Sequence, residues 1–130
     1  MIGKVYLSQV DFYDVRIKAM GRKARPVLIV GGPYENDYIV LPISTISRRE
    51  NLNPHYDLPI SPQERMTLNL TRECFIRTHK QMTVHRAALI KELGDMKQFI
   101  PELYLKTIAK WKNFRSKSLI ALFELRSSQC

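Results

Sequence analysis

Apolar and polar positions along the first two-thirds of the chain predict β-strands. Residues 5–13 alternate between two partly apolar faces, and residues 26–30 and 38–43 are continuous apolar runs with the length of buried strands. The glycine- and proline-containing segment 31–37 predicts a turn that pairs these two runs. Residues 74–82 predict a further strand. Together these segments predict a curled antiparallel sheet.

Segments without a clear period separate these strands and are predicted to be loops. Residues 14–24 are basic and contain Gly21, and residues 44–53 are polar and charged. A short strand is expected within 55–60, and the polar, proline-flanked segment 61–67 then leaves the sheet. We therefore expect polar loops to join the strands.

Helical periodicity marks the last third of the chain. Apolar residues recur there at three- and four-residue steps, and Pro101 suits the first turn of a helix. The stripe consists of Ile100, Leu103, Tyr104, Thr107, Ile108, Trp111, Phe114, Ser118, Leu119 and Leu122. It predicts a helix over about 98–114, with an extension to about residue 125 because Leu119 and Leu122 keep the spacing.

These elements predict one α+β domain over residues 1–130. The antiparallel strands would curl into a small β-barrel over about residues 3–94, and the C-terminal helix would cover one side of it with the apolar stripe. A chain of 130 residues has the length of one ordinary domain and can bury a core without disulfides or metal.

The charge of the chain indicates what kind of partner it binds. The 21 Lys and Arg residues exceed the 12 Asp and Glu residues and give a formal net charge of +9, which favours nucleic acid, an acidic membrane surface or an acidic protein. One basic run contains Arg16, Lys18, Arg22, Lys23 and Arg25, and a second contains Lys106, Lys110, Lys112, Arg115 and Lys117. A single run is usually a solvated surface, but two in one small chain favour a polyanion.

Several classes of function are disfavoured by what the sequence lacks. No run is long and apolar enough for a membrane span or a secretory signal, and Cys74 and Cys130 are far apart, so we expect a protein of the reducing cytoplasm. Cys74 and His79 would point to opposite faces of a strand, which disfavours a metal site. Phosphate-loop, dinucleotide-binding and nucleophile-elbow motifs are absent. We expect no metal and no other cofactor.

Cations and hydroxyls near the predicted strand ends are the best candidates for chemistry. Arg25 precedes a proline, which favours extended backbone and presents the guanidinium from a strand edge. Ser44 and Thr45 follow the neighbouring strand, while Arg77 and His79 would share one face of the strand over 74–82. If these strands are close, the five side chains surround one groove.

This set of groups suits RNA cleavage by internal attack of the 2′-hydroxyl on its own phosphate. The reaction needs a base for the 2′-hydroxyl, cations for the charge of the phosphorane, and a proton for the leaving 5′-oxygen. Arginine matches phosphate geometry better than lysine does, and histidine titrates near neutral pH. The reaction requires no metal.

Motifs at three places resemble the MazF/PemK family of toxin–antitoxin ribonucleases. They are Gly3-Lys4-Val5-Tyr6 with Val10-Asp11-Phe12, Gly21 to Val30 with its R-P-V-L-I-V block, and Ile39 to Thr45 with its P-I-S-T block. The segment from Arg77 to Leu89 resembles a later strand of the family. The resemblance extends from Gly3 to about Phe114.

The resemblance implies an SH3-like barrel with a C-terminal helix, usually a homodimer, that cleaves mRNA and is silenced by an antitoxin filling the same groove. The strand-start arginine of the family falls on Arg25, its hydroxyl falls on Ser44 with Thr45 next to it, and a second arginine of one branch falls on Arg77. Where that branch has an aspartate two residues later, this chain has His79. The tail beyond Phe114 exceeds the usual family length.

Our leading hypothesis is therefore a metal-independent, sequence-selective endoribonuclease toxin that cleaves single-stranded mRNA. Arg25 would stabilise the phosphorane, Ser44 or Thr45 would position the phosphate, Arg77 would clamp it, and His79 would act as acid or base. The expected RNA-binding residues are Arg16, Lys18, Arg22, Lys23, Arg48, Arg49 and Lys80. Two alternatives stay open: a gyrase inhibitor of the same fold, as the related CcdB proteins are, and a non-catalytic nucleic-acid-binding module.

Overall fold

A computed structural model describes residues 1–46 and 48–128, with the side chains described through Leu119. The described strands are β1 (Lys4–Asp14), β2 (Ala19–Tyr34), β3 (Asp37–Ser44), β4 (Asp57–Pro59), β5 (Phe75–Arg77), β6 (Met82–His85) and β7 (Leu89–Asp95). The α-helices are α1 (Pro62–Thr67), α2 (Met96–Phe99) and α3 (Pro101–Ser128), and short 3-10 turns lie at Arg49–Asn51 and Arg86–Ala88.

The strands form one curled antiparallel sheet in the order β4-β5-β3-β2-β1-β7. β3 is its centre: β2 lies along one side, and β6 and β5 pair with the first and last parts of its other side. The sheet is a half-barrel with the helix α3 after its last strand. The predicted α+β class, a curled antiparallel sheet with a C-terminal helix, is confirmed.

Two hydrophobic clusters lie on opposite faces of the sheet, because alternate residues of β2 enter different clusters. Leu28 and Val30 belong to the larger cluster, which also receives Leu103, Tyr104 and Trp111 of α3. Val27 and Ile29 belong to the smaller one. The predicted apolar stripe thus packs the helix on the sheet, although Leu119 is exposed. Leu122 and Cys130 lie outside the described side chains.

The prediction of a loop over residues 14–24 is wrong in its second half. β1 and β2 form a long hairpin that pairs as far as Asp14 and Ala19, so the turn itself is confined to residues 15–18. Phe12 lies opposite Gly21, whose missing side chain leaves room for the ring, and Lys23 Nζ lies 4.4 Å from the centre of that ring. These cross-strand contacts stabilise a strand that periodicity alone does not reveal.

The single strand predicted over 74–82 is also wrong. β5 ends at Arg77 and β6 begins at Met82, and a turn lies between them. The turn forms because the Thr78 hydroxyl donates to the backbone oxygen of Tyr56 at 2.7 Å, and Lys80 N–H donates to Arg77 O. Arg77 and His79 therefore do not share a strand face.

Helix α1 lies in the segment that was predicted to be an irregular excursion. Ser61 Oγ accepts from Glu64 N–H while the Glu64 carboxylate accepts from Ser61 N–H, and Pro62 occupies the first turn. This capping box is legible in the sequence, although the helix has only six residues.

None of the described helices combines the length and apolar composition needed to cross a membrane.

Candidate functional site

A groove of about 510 Å³ opens beside Arg25. Arg25 lies in β2 opposite Ser8 of β1 and is half-buried, and the following Pro26 lies opposite Leu7. The groove is bounded by β1, β2, β7 and the segment between α1 and β5. We call it the first groove. The predicted cationic site at Arg25 therefore borders a depression in the surface, although Arg25 lies within β2 and not at the start of the strand.

The first groove is electropositive. Four cationic side chains line it, and no carboxylate does so among the residues that the structure describes. The cations are Lys23, Arg25, Arg72 and Lys91. Thr45 and Thr71 add hydroxyls, and Leu7, Ile43 and Leu93 add apolar surface. Like charges held in one concave site create a field that attracts an anion.

Sequence reasoning missed Arg72 and Lys91. Lys91 reaches the groove because β7 pairs with β1 and sets Lys91 opposite Leu7. Arg72 lies in the irregular segment before β5, and that segment is tied to β7 because Asn69 Nδ2 donates to Leu93 O at 2.7 Å. Both placements depend on pairings between distant parts of the chain, for which the local pattern carries no signal.

The floor of the first groove contains one thiol. Cys74 is a free cysteine, its side chain is nearly buried, and it lines the groove beside the apolar residues. Burial raises the pKa of the Cys74 thiol, an effect that the nearby Arg65 cation opposes. The thiol is consequently protonated at neutral pH and a weak nucleophile.

A second groove of about 650 Å³ adjoins the first, since Thr45 and Arg72 line both. Its remaining lining residues are Ile46, Arg49, Leu52, Glu73 and Phe75. It therefore holds one of the predicted RNA-binding residues, Arg49. The neighbouring Arg48 is exposed and lies 4.0 Å from the Glu50 carboxylate instead.

Arg77 and His79 gather around a buried carboxylate, away from the linings of both grooves. Arg77 Nε lies 3.1 Å from Oδ1 of Asp57, whose side chain is fully buried, and Asn53 N–H donates to Oδ2 of Asp57 at 2.7 Å. His79 Nδ1 lies 3.8 Å from Asp57 Oδ1, too far for a hydrogen bond. Burial lowers the pKa of His79, and the Asp57 carboxylate opposes this shift.

Aromatic rings enclose His79. Its ring centre lies 5.9 Å from that of Tyr56 and 6.1 Å from that of Phe114, and its side chain is 11 % exposed. Helix α3 is joined to this region by Trp111 Nε1, which donates to Gln81 Oε1 at 2.8 Å. The Asp57–Arg77–His79 cluster therefore lies where α3 meets the sheet.

Of the five predicted catalytic residues, the structure brings Arg25 and Thr45 together in the first groove. Ser44 pairs with Phe75 across β3 and β5 and lines neither groove. Arg77 and His79 form the separate cluster. The expectation that all five surround one groove does not match this arrangement, because β5 ends at Arg77 and the chain turns away.

The remaining predicted RNA-binding cations are spread over the surface. Arg16 is paired with Asp14 in the hairpin turn, and Lys18 occupies a left-handed position of that turn with φ 51°. Arg22 lies 3.2 Å from Asp11, while Lys80 is exposed in the turn after β5. Of the basic run before Pro26, Lys23 and Arg25 line the first groove.

Comparison with known protein families agrees with the motifs. A family model described as PemK-like, MazF-like toxin of type II toxin–antitoxin system matches residues 3–110, well over half of the chain. The resemblance drawn from the three motifs is thereby confirmed. A search of curated proteins gave no match.

Proposed function

Because this chain belongs to the PemK-like, MazF-like toxins of type II toxin–antitoxin systems, we propose that it is an endoribonuclease that cleaves single-stranded mRNA in the first groove. The family makes it the toxin of such a module and implies an antitoxin partner. The substrate, the chemistry and the residues that perform it are our proposal.

One observation carries the proposal: the first groove combines four cations with no carboxylate among its described lining residues. A phosphodiester gains negative charge as the 2′-oxygen attacks, so a fixed positive field stabilises the transition state more than the bound substrate. Arg25 is the best placed cation because it is half-buried in a strand, whereas the other three groove cations are exposed, and a guanidinium matches the geometry of a phosphate.

The proposed step is an internal transfer that needs no metal. The 2′-oxygen forms a bond to phosphorus while the bond from phosphorus to the 5′-oxygen breaks. One proton leaves the 2′-hydroxyl and one reaches the 5′-oxygen. The products are a 2′,3′-cyclic phosphate and a 5′-hydroxyl. Arg25 stabilises the phosphorane, and the exposed Thr45 hydroxyl donates to a non-bridging oxygen.

Proton transfer needs a base for the 2′-hydroxyl and an acid for the 5′-oxygen. No imidazole or carboxylate lines the first groove among the described residues. His79 as acid or base, Arg77 as clamp and Ser44 as phosphate contact stay predictions. We assign both proton transfers to solvent within the groove: water takes the proton of the 2′-hydroxyl and supplies one to the 5′-oxygen, while the cations lower the free energy of an oxyanion.

Incubation of the pure protein with RNA in EDTA tests the proposal. Wild type should yield fragments with 5′-hydroxyl ends, and Arg25→Ala should lower kcat/KM by roughly 100-fold or more, a loss typical of removing one fixed charge-stabilising donor. Arg86→Ala, an exposed variant in the 3-10 turn after β6 and outside both grooves, is the matched control. Absence of cleavage by wild type, or unchanged cleavage by Arg25→Ala, would refute it.

A non-catalytic RNA-binding module is the second candidate, favoured by the lack of an imidazole or carboxylate in the described lining of the groove. It predicts salt-sensitive binding of single-stranded RNA with no product formed. A supercoiling assay with purified gyrase tests the remaining alternative of gyrase inhibition.

We further propose that the toxin is a cytoplasmic homodimer whose antitoxin occupies the first groove. An occupant of that groove would need acidic side chains to match its four cations. Sedimentation equilibrium tests the dimer. Competition between RNA and an acidic antitoxin peptide tests the shared groove, and Arg25→Ala should abolish this competition.

A further inference from the structure

We propose that the second groove binds one nucleobase of the RNA next to the reacting phosphate, and that it prefers guanine. This inference rests on the proposed function, since it places the rest of the substrate relative to Arg25. The first and second grooves differ in chemistry, and that difference separates a place for phosphate from a place for a base.

The two grooves form one path because they share Thr45 and Arg72. A chain that lies with a phosphate at Arg25 reaches the second groove by passing these two residues. Arg72 is exposed at the junction and can hold a second phosphate, which would fix the direction in which the strand leaves the first groove.

The second groove is less suited to phosphate than the first groove and suits a flat, uncharged ring. Glu73 partly offsets the Arg49 and Arg72 cations in its lining, whereas Ile46, Leu52 and Phe75 offer apolar surface. Phe75 is half-buried in β5 and is held on both sides, since it pairs with Ser44 of β3 and Pro59 of β4. A ring on such a rigid support is a stacking platform for a base.

The polar groups of the second groove indicate which base fits. Glu73 accepts hydrogen bonds, so it selects a base whose edge donates, and Arg49 donates, so it selects a base that also accepts. Guanine offers both: its N1–H and amino group face a carboxylate, and O6 and N7 accept from a guanidinium. Uracil has one ring N–H and no amino group, so its complementarity to Glu73 is lower.

Cleavage of short RNAs that differ at one position beside the scissile bond tests the inference. Wild type should prefer guanine at one fixed position by about tenfold in kcat/KM, the size of one good base contact. Glu73→Gln should reduce that preference to roughly threefold or less by weakening the carboxylate contact. Glu102→Gln, an exposed carboxylate in the first turn of α3, is the matched control and should keep the full preference.

Phe75 is tested by the split between kcat and KM. Phe75→Leu should raise KM by about tenfold for every base at that position, because stacking does not depend on base identity, and Phe75→Tyr should restore KM. Thermal unfolding of each variant identifies any that fails to fold. An unchanged preference in Glu73→Gln together with an unchanged KM in folded Phe75→Leu would overturn the inference.

Failure of the proposed function can be recognised separately. If wild type cleaves none of the RNAs, equilibrium binding of the same oligonucleotides replaces kcat/KM. A guanine preference in Kd that is present in wild type and reduced in Glu73→Gln would support the subsite while the ribonuclease proposal fails. Equal Kd values for all four bases would overturn the subsite.

Discussion

Asp57 joins three parts of the molecule through one carboxylate. Its side chain is fully buried, one oxygen lies against Arg77 of β5, and the other accepts from the backbone of Asn53 in the segment after β3. Beside it, His79 Nδ1 is buried and has no hydrogen-bond partner. Removing the carboxylate would leave the partly buried Arg77 cation uncompensated, so Asp57 matters more to stability than the exposed ion pairs do.

Asp57→Ala should lower the free energy of unfolding by about 3 kcal/mol, the lower end of the range for breaking a buried ion pair, because Arg77 keeps some exposure. Arg22→Ala, which breaks the pair between the exposed side chains of Arg22 and Asp11, should cost under about 1 kcal/mol. Urea unfolding measures both. Equal losses in the two variants would contradict the role given to Asp57.

His79 should make stability depend on pH. Its pKa in the folded protein is lowered by burial, so the unfolded chain binds the proton first as pH falls. The contribution of neutral His79 to the free energy of unfolding is complete above the histidine pKa of the unfolded chain, about 6.5. It is lost as pH falls through the lower pKa of the folded protein. Urea unfolding between pH 5 and 8 should show the slope in wild type and a smaller slope in His79→Gln.

The exposed His55 gives the control for that experiment. His55→Gln should keep the wild-type dependence of stability on pH. A wild-type slope that survives in His79→Gln would show that other groups cause it.

Elements place the groove residues through contacts that are distant in sequence. Helix α1 ends against β7, and the segment after it carries Arg72 to the first groove. Gly94 of β7 permits this approach, because a side chain there would lie 3.1 Å from Thr67 O and 3.2 Å from Leu68 Cα. Both neighbours are backbone atoms, which cannot turn aside as a side chain can.

Gly94→Ala should therefore destabilise the protein by about 1–3 kcal/mol, as overpacking does, and displace the wall that holds Arg72. Gly21→Ala is the matched control, since its added methyl would meet the end of the Phe12 ring, which can rotate away. Thermal unfolding compares the two. A larger loss in Gly21→Ala would contradict the argument.

The elements also show how far sequence reasoning reaches. Local patterns predict β1, the core of β2, β3 and α3, because apolar periodicity reports which face is buried. They do not predict the outer hairpin, which depends on pairs such as Phe12 with Gly21, or the turn after Arg77, which depends on Thr78 bonding to Tyr56. Arg25 and Thr45 could be predicted because they lie beside apolar strands that the local pattern reveals. Arg72 and Lys91 could not, because pairings between distant parts of the chain place them in the groove.

At the scale of the whole molecule, the cations that give the net charge of +9 do not all contribute equally to binding RNA. Part of it is paired locally, as in the hairpin, and part is exposed on α3, far along the chain from the grooves. Electrostatic attraction of RNA acts through the total charge, whereas release of counterions on binding reports the cations that contact phosphates.

The salt dependence of RNA binding should count those contacts. For single strands, the slope of log K against log salt is about −0.7 per phosphate contact, so the groove cations together should give a slope of roughly −3. Lys91→Ala should make the slope less steep by about 0.7, and the exposed Lys106→Ala on α3 should leave it unchanged. Equal changes in both variants would mean that charge acts diffusely.

The Cys74 thiol is a chemical probe at the floor of the first groove. Its sulfur is nearly buried and its raised pKa keeps it protonated, so an alkylating reagent can modify it only when the groove widens and the proton leaves. The rate of modification at fixed pH thus reports how often the walls formed by β2, β7 and the segment before β5 separate. An occupant that spans the groove would slow this reaction whether or not it is ever cut, so one atom can register occupancy independently of turnover.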